Sequence, residues 1–369
     1  MSRNIERVQL SLSETLHFDE VIDVRSPLEF SEDHMSGAVN LPVLSDIERA
    51  HVGTIFKQES NFIARKVGAA LVSKNIAHHL ETHFAGKGKD YRPLVYCWRG
   101  GQRSGSIAMI LSEIGWATTV VENGYRGYRS HVIETITAKA TELSFVVLTG
   151  FTGSGKTLLL KELENTGHQV LDLEGIASHK GSVFGGDPVA PQPAQKRFES
   201  VIYDFLARFD PMRPVWIEAE SAKIGRLNLP NPLWQKMKLS PVIEIVSPLE
   251  ARAAYLTADY QEWLGDSARV SRTIDRLKEF QARRTLEEWK GMSERGEWEA
   301  LATRLLKEHY DRRYSVAGSG HFQSPSAIEG LRDHRPDTVR QCALALSEKA
   351  LDLFARVPAG PHPNSPTPN

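Results

Sequence analysis

One eight-residue stretch constrains this chain more than any other. GFTGSGKT (150–157) satisfies G-x-x-x-x-G-K-[ST] at each fixed position. It lies between an apolar run, SFVVLTG (144–150), and a stretch with helical spacing, TLLLKELENTG (157–167). A buried strand that turns through glycines into a helix aims successive backbone N–H groups, and the positive end of the helix, at one anion. Gly150, Gly153 and Gly155 let the backbone wrap a phosphate chain, with Ser154 inside the turn. Lys156 reaches the terminal phosphates and Thr157 is placed to ligate Mg2+. No cluster of protein ligands points to any other metal.

The surroundings of the loop are α/β. QVLDLEG (169–175), PVWIEAES (214–221) and PVIEIVSP (241–248) read as further strands. A phosphate-bound cation calls for a carboxylate at the end of a neighbouring strand. Glu218 and Glu220 supply two, which share a face if the strand runs through both, and Glu218, directly after the apolar triplet, is the better candidate. HKGSVFGG (179–186) either covers the phosphates or is a plain connection. Such a loop selects polyphosphates without naming the rest of the molecule; ATP and a prenyl diphosphate present similar heads.

A second candidate site lies upstream. YCWRGGQRS (96–104) puts Cys97 at the carboxyl end of a strand-like run, PLVYCW (93–98), ahead of a helical stretch from Ser104 to Ile114. Gly100 and Gly101 permit an anion-binding nest, and Arg99 and Arg103 add fixed charge beside Trp98, Gln102 and Ser104. These features favour a thiolate. IDVRSPLEFSEDHMSGAVNLP (22–42), with Asp23, Arg25 and Glu29, and NGYRGYR (123–129) complete a pattern that resembles the rhodanese family over residues 15–138. That resemblance implies a persulfide-carrying cysteine. Arg103 stands six residues after Cys97, one more than in many small rhodaneses, which is the C-x5-R spacing of cysteine-dependent phosphatases. The longer loop suits a tetrahedral anion. Phosphatase activity and a sulfur- or selenium-bearing phosphate donor both follow from it.

Composition narrows the rest. Of 369 residues, 45 are Lys or Arg and 46 are Asp or Glu, so the chain as a whole is not polybasic. Local basic sets remain: Lys87, Lys89 and Arg92, which with Arg99 and Arg103 bracket the cysteine; Arg126 and Arg129; and Arg269, Arg272, Arg276, Arg283 and Arg284. Two cysteines exclude a disulfide framework and a four-cysteine zinc site. Cys342, in QCALAL, reads as a core residue. His78, His79 and His83 lack an evident further ligand. The start is polar, and no apolar run approaches membrane-spanning length, so a cytoplasmic protein with no membrane partner is expected.

The expected architecture is α/β: an N-terminal segment (1–14), a rhodanese-like parallel-sheet domain (15–138), a P-loop NTPase-like α/β domain (139–250), its helical C-terminal part (251–356) and a disordered proline-rich tail (357–369). The order of these parts, with HKGSVFG, WIEAES and LNLPNPLW (227–234) after the P-loop, resembles the tRNA 2-selenouridine synthase family over residues 15–330. The resemblance implies an enzyme that replaces sulfur by selenium in wobble 2-thiouridine of tRNA. It implies selenophosphate as donor, an S-geranyl intermediate formed from geranyl diphosphate, and no tightly bound cofactor beyond Mg2+. Cys97 with its loop would then handle selenophosphate, the P-loop the diphosphate, and the basic sets the tRNA. Three other readings stay open: a rhodanese-type sulfurtransferase fused to an NTPase, a C-x5-R phosphatase so fused, and a phosphate-sensing binding module.

Overall fold

Parallel strand pairing, which requires a crossover between successive strands, organises both halves of the chain. The computed structural model describes residues 5–9, 17–182, 184–186, 191–261, 266–313 and 322–356. They form two compact units, one built from Met1–Ile136 with Pro193–Asp204, the other from Thr137–Gln192 with Phe205–Asn369. The expected tail at 357–369 lies outside the described residues.

The first unit carries a five-stranded sheet in the order β1-β5-β4-β2-β3, with β1 Glu6–Val8, β2 Glu20–Asp23, β3 Val39–Asn40, β4 Pro93–Tyr96 and β5 Thr119–Val121, all pairs parallel. β4 is buried at every position because it lies mid-sheet, as its uninterrupted apolar run foretells. Val72 and Ile76 of the helix Asn61–Glu81, and Ile107 and Leu111 of the helix Gln102–Ile114, pack on Ile22, Val24 and Val95. β1 pairs with β5, so part of the stretch read as a separate N-terminal segment is an edge strand of this sheet. The segment Pro193–Asp204 also joins this unit, a long-range return that no local pattern announces.

The second unit has the sheet order β12-β11-β6-β8-β7, again all parallel, with β6 Phe145–Thr149, β7 Gln169–Leu171, β8 Val215–Glu218, β11 Val242–Val246 and β12 Ala327–Gly330. A small antiparallel pair, β9 Lys223–Ile224 and β10 Leu227–Asn228, stands apart. Leu159, Leu160 and Leu163 of the helix Lys156–Asn165 pack between Val146 and Trp216 and the final helix Pro336–Arg356, whose Cys342 is a core residue as expected. The part read as purely helical therefore contributes β12. This strand is short, sits at the sheet edge and exposes Ile328, so it has no apolar run to betray it. Within the helical part, one helix ends at Asp275 and the next starts at Arg283.

A buried ion pair locks the carboxyl end of the first sheet. Arg25, 1% exposed, bonds Asp23 at 2.6 Å and the Asp33 carbonyl at 2.7 Å, and its guanidinium lies 3.9 Å from the centre of the Tyr125 ring. Arg25→Ala leaves Asp23 charged and unpaired in the interior, and should destabilise the protein by about 3–5 kcal/mol in a chemical-denaturation measurement.

Candidate functional site

Cys97 follows β4 immediately, and its backbone is held from the opposite side. The Tyr125 N–H donates to the Cys97 carbonyl at 2.8 Å, and the Arg126 N–H donates to that of Trp98 at 3.1 Å. These donors belong to the start of the helix Gly124–Glu142. Gly124 has φ +52°, and a Cβ there would come within 2.2 Å of the Cys97 carbonyl oxygen, so NGYRGYR needs its first glycine to clamp the cysteine loop. The loop enters the helix Gln102–Ile114 through Gly101.

The thiol is 3% exposed. Burial raises its pKa, yet the net shift is downward. The Ser104 hydroxyl donates to Sγ at 3.2 Å, and the backbone N–H groups of Ser104 and Arg99 and the charge of Arg103 add to it. Arg103 also bonds Glu29 at 2.7 Å, and Arg49 reaches the same carboxylate at 3.1 Å. Arg103 is thus paired with Glu29 while its charge still bears on the thiol. The Arg99 side chain is exposed and has no partner among the described residues. Trp98 is half-buried and tilts against Tyr125, their ring centres 5.3 Å apart.

In the second unit the P-loop turns through Gly150, Gly153 and Gly155, all with positive φ. It borders a cavity of about 530 Å3 together with Ser154, Lys156 and Thr157. Lys156 folds back to donate to the Gly150 carbonyl at 2.9 Å, and Thr157 donates to Glu174 at 3.4 Å. Lys180, Gly181 and Ser182 also line the cavity, so the HKGSVFGG loop does border the phosphate site. Gly181 has φ +64°, and a Cβ there would meet Glu174 and Glu220 at about 3 Å.

The carboxylates need a correction. β8 ends at Glu218, so Glu218 and Glu220 do not share a strand face. Glu218 is buried beneath the cavity and accepts from the Glu174 N–H at 2.7 Å, while Glu220 and Glu174 line it. Burial, with Asp172 and Glu174 nearby, pushes Glu218 well above the usual carboxylate range. Burial, then Glu174, pushes Glu220 up to about 8. Glu174 escaped the sequence reading, where it passed as part of a strand. Arg252 escaped as well: it is buried, donates to the Thr152 carbonyl at 2.9 Å and forks onto Asp311 at 2.6 and 3.1 Å, fixing the P-loop. The Thr157 hydroxyl and the Glu174 and Glu220 carboxylates are hard oxygen donors whose crowding a divalent cation would relieve, so the residues present fit Mg2+.

Beside this cavity opens an apolar pocket lined by Phe184, Leu256, Tyr260, Val270, Trp298 and Leu305. Thr152, Ser182, Leu256, Tyr260 and Tyr310 border both. A π-helical stretch, Leu306–Tyr310, continues the helix Trp298–Leu305 at this point.

The basic sets fare unevenly. Lys87, Lys89 and Arg92 precede β4 and lie at the amino end of a strand whose carboxyl end carries Cys97; Lys87 pairs with Glu20 at 3.2 Å. They therefore do not bracket the cysteine in space. Arg129 is consumed by Asp33, Glu199 and Ser200. Arg126 is exposed beside the cysteine loop. Arg269, Arg272, Arg276, Arg283 and Arg284 lie in or next to the helices Ser267–Asp275 and Arg283–Glu294, and Arg284 pairs with Glu288 at 3.0 Å, as on a solvated face. His83 bonds Glu20 and His79 the Pro42 carbonyl. Among the described residues no helix is long and apolar enough to cross a membrane.

A cysteine loop on one parallel sheet and a P-loop on another define a rhodanese-like domain followed by a P-loop domain. The rhodanese-like domain model matches residues 8–131, and the model of the tRNA 2-selenouridine synthase AAA domain matches residues 143–285. The tRNA 2-selenouridine synthase of Nitrosomonas europaea is 36% identical over 263 residues, 70% of this chain and 68% of that protein. That of Aeromonas salmonicida is 38% identical over 243 residues, 65% of this chain and 64% of its own. The crystal structure of the N-terminal domain of a putative ATP/GTP binding protein from Clostridium difficile shares 32% identity over 35% of this chain and 98% of its own, with a TM-score of 0.31. The chain belongs to the tRNA 2-selenouridine synthase family.

Two outcomes check the electrostatics. Removing the Ser104 hydroxyl deletes a donor to the thiolate, so Ser104→Ala should move the pH midpoint of Cys97 alkylation by iodoacetamide upward. A carboxyl whose pKa rises to about 8 on folding binds its proton more tightly when folded. Stability is then greatest below the ordinary carboxylate range and falls as pH climbs towards 8. Glu220→Gln should flatten this fall in thermal denaturation followed between pH 5 and pH 8.5, the upper limit lying about half a unit past that pKa.

Proposed function

We propose that the protein is a tRNA-modifying transferase that converts wobble 2-thiouridine to 2-selenouridine, with geranyl diphosphate and selenophosphate as co-substrates. The observation that carries this reading is the apolar pocket opening beside the P-loop cavity. A ligand with a diphosphate head and a hydrocarbon tail matches that pairing.

In the first step the sulfur of 2-thiouridine attacks the allylic carbon of geranyl diphosphate. A C–S bond forms, the C–O bond breaks, diphosphate leaves and the base gives up its N3 proton. Lys156 and the P-loop N–H groups bind the departing diphosphate, and the apolar pocket orients the chain. Thr157, Glu174 and Glu220 would hold Mg2+, which when bound neutralises charge on the leaving group. In the second step selenium replaces the thioether. The Cys97 thiolate attacks the phosphorus of selenophosphate, held by the loop amides and Arg99; an S–P bond forms, the P–Se bond breaks, and water later hydrolyses the S–P bond to phosphate and free thiol, while the released hydroselenide adds at C2 as geranylthiol leaves.

The two steps separate by mutation. Cys97→Ser should abolish 2-selenouridine and accumulate the S-geranyl nucleoside, because attack by the substrate sulfur needs no protein nucleophile. Lys156→Ala should block geranylation while sparing selenation of tRNA already geranylated. Mass spectrometry of tRNA nucleosides reads both. A folded Cys97→Ser protein that leaves 2-thiouridine unmodified in the presence of geranyl diphosphate would overturn the division.

A further inference from the structure

A groove of about 1030 Å3 runs across the first unit, against the Gly101–Arg103 end of the cysteine loop. Its charge is one-sided. Arg7 of β1, Arg49 and Lys57 of the helix Asp46–Gln58, Arg65 of the helix Asn61–Glu81, and Arg103 all line it, and no Asp or Glu does. Glu29, behind the wall, is shared by Arg49 and Arg103 and neutralises only one of them. Lys57 and Arg65 are exposed and have no partner among the described residues.

The shape of the groove is made by small residues. A Cβ added at Gly53, Gly101 or Gly105 would meet nothing within 4 Å, so these glycines leave open space. Two apolar side chains project into the same space where water should discourage them: Phe56 is 55% exposed and Met109 56%. Cationic side chains along an open groove, with an aromatic face among them, are what a single-stranded nucleic acid requires: charge for its phosphates and a surface on which an unstacked base can lie. A groove of this size exceeds the needs of one phosphate-sized anion, and a folded acidic protein would not call for an aromatic stacking face.

We propose that this groove binds the phosphodiester backbone of the single-stranded tRNA loop that carries the target base, with Lys57 and Arg65 on phosphates and Phe56 under a base. The assignment rests on the tRNA-modifying reading above and adds to it a binding surface drawn from two helices that the basic sets picked from sequence did not include. The groove borders the loop that follows Cys97, so the bound strand passes beside it.

Fluorescence anisotropy with an unmodified tRNA transcript, a short single-stranded oligouridylate and a fully paired RNA duplex tests it. Lys57→Glu combined with Arg65→Glu should weaken binding of the transcript and of the oligouridylate at least tenfold. Loss of two phosphate contacts should also reduce the slope of log K against log salt by about 1.4. Phe56→Ala should weaken binding several-fold and leave that slope unchanged, since stacking releases no counterions. Lys57→Gln with Arg65→Gln, a milder pair, should reproduce the slope change, and circular dichroism establishes that each variant is folded. If the wild type binds the transcript and these variants keep its Kd and slope, the groove assignment falls and the functional reading stands. If the wild type binds the oligouridylate through the groove but not the transcript, the tRNA reading falls instead. Binding of the duplex as tight as that of the single strand would overturn the single-strand assignment.

Discussion

A parallel strand must hand its chain to a crossover at its carboxyl end, and where a helix starts there at once, the turn leaves backbone N–H groups without partners. Both candidate sites occupy such turns: β4 into the helix Gln102–Ile114, and β6 into the helix Lys156–Asn165. In each unit the sheet fixes where the turn points and the unpaired amides decide that an anion goes there. The positive-φ glycines and the carbonyl clamp from Tyr125 and Arg126 serve to hold those turns open.

Burial acts on both sites and is answered differently in each. Cys97 is sealed at 3% exposure, but donors surround its sulfur, and the thiol is pushed towards the thiolate. Glu218, Glu220 and Glu174 are desolvated among one another, and their protons are held. The first environment favours the thiolate form of a nucleophile. The second suits a place where a cation, arriving with a polyphosphate, replaces protons.

The helical part of the second unit sets an apolar recess beside the P-loop cavity. Val270, Trp298, Leu301 and Leu305 build a core that stops short at one side, leaving an apolar recess next to the P-loop. A π-helical stretch continues the helix Trp298–Leu305 there, bringing His309 and Tyr310 to the cavity. The P-loop motif by itself gives no sign of this recess, which is assembled from residues far along the chain.

The sequence by itself determined the parts whose physics is local. A strand–glycine–helix motif is contiguous, so GFTGSGKT and YCWRGGQRS announced their sites, and uninterrupted apolar runs announced β4, β6 and β8. Family membership was legible from the same motifs. Tertiary structure decided whatever depends on distant residues meeting. β1 and β12 are edge strands defined by their partners, with too few apolar residues to declare themselves. Glu174 and Arg252 matter because of where Thr157 and Thr152 lie, and Glu220 rather than Glu218 lines the cavity because the chain leaves the strand after Glu218. The basic strip at Lys87–Arg92 looked close to Cys97 along the chain, yet β4 carries it to the opposite end of the sheet, since an extended strand converts nearness in sequence into distance in space.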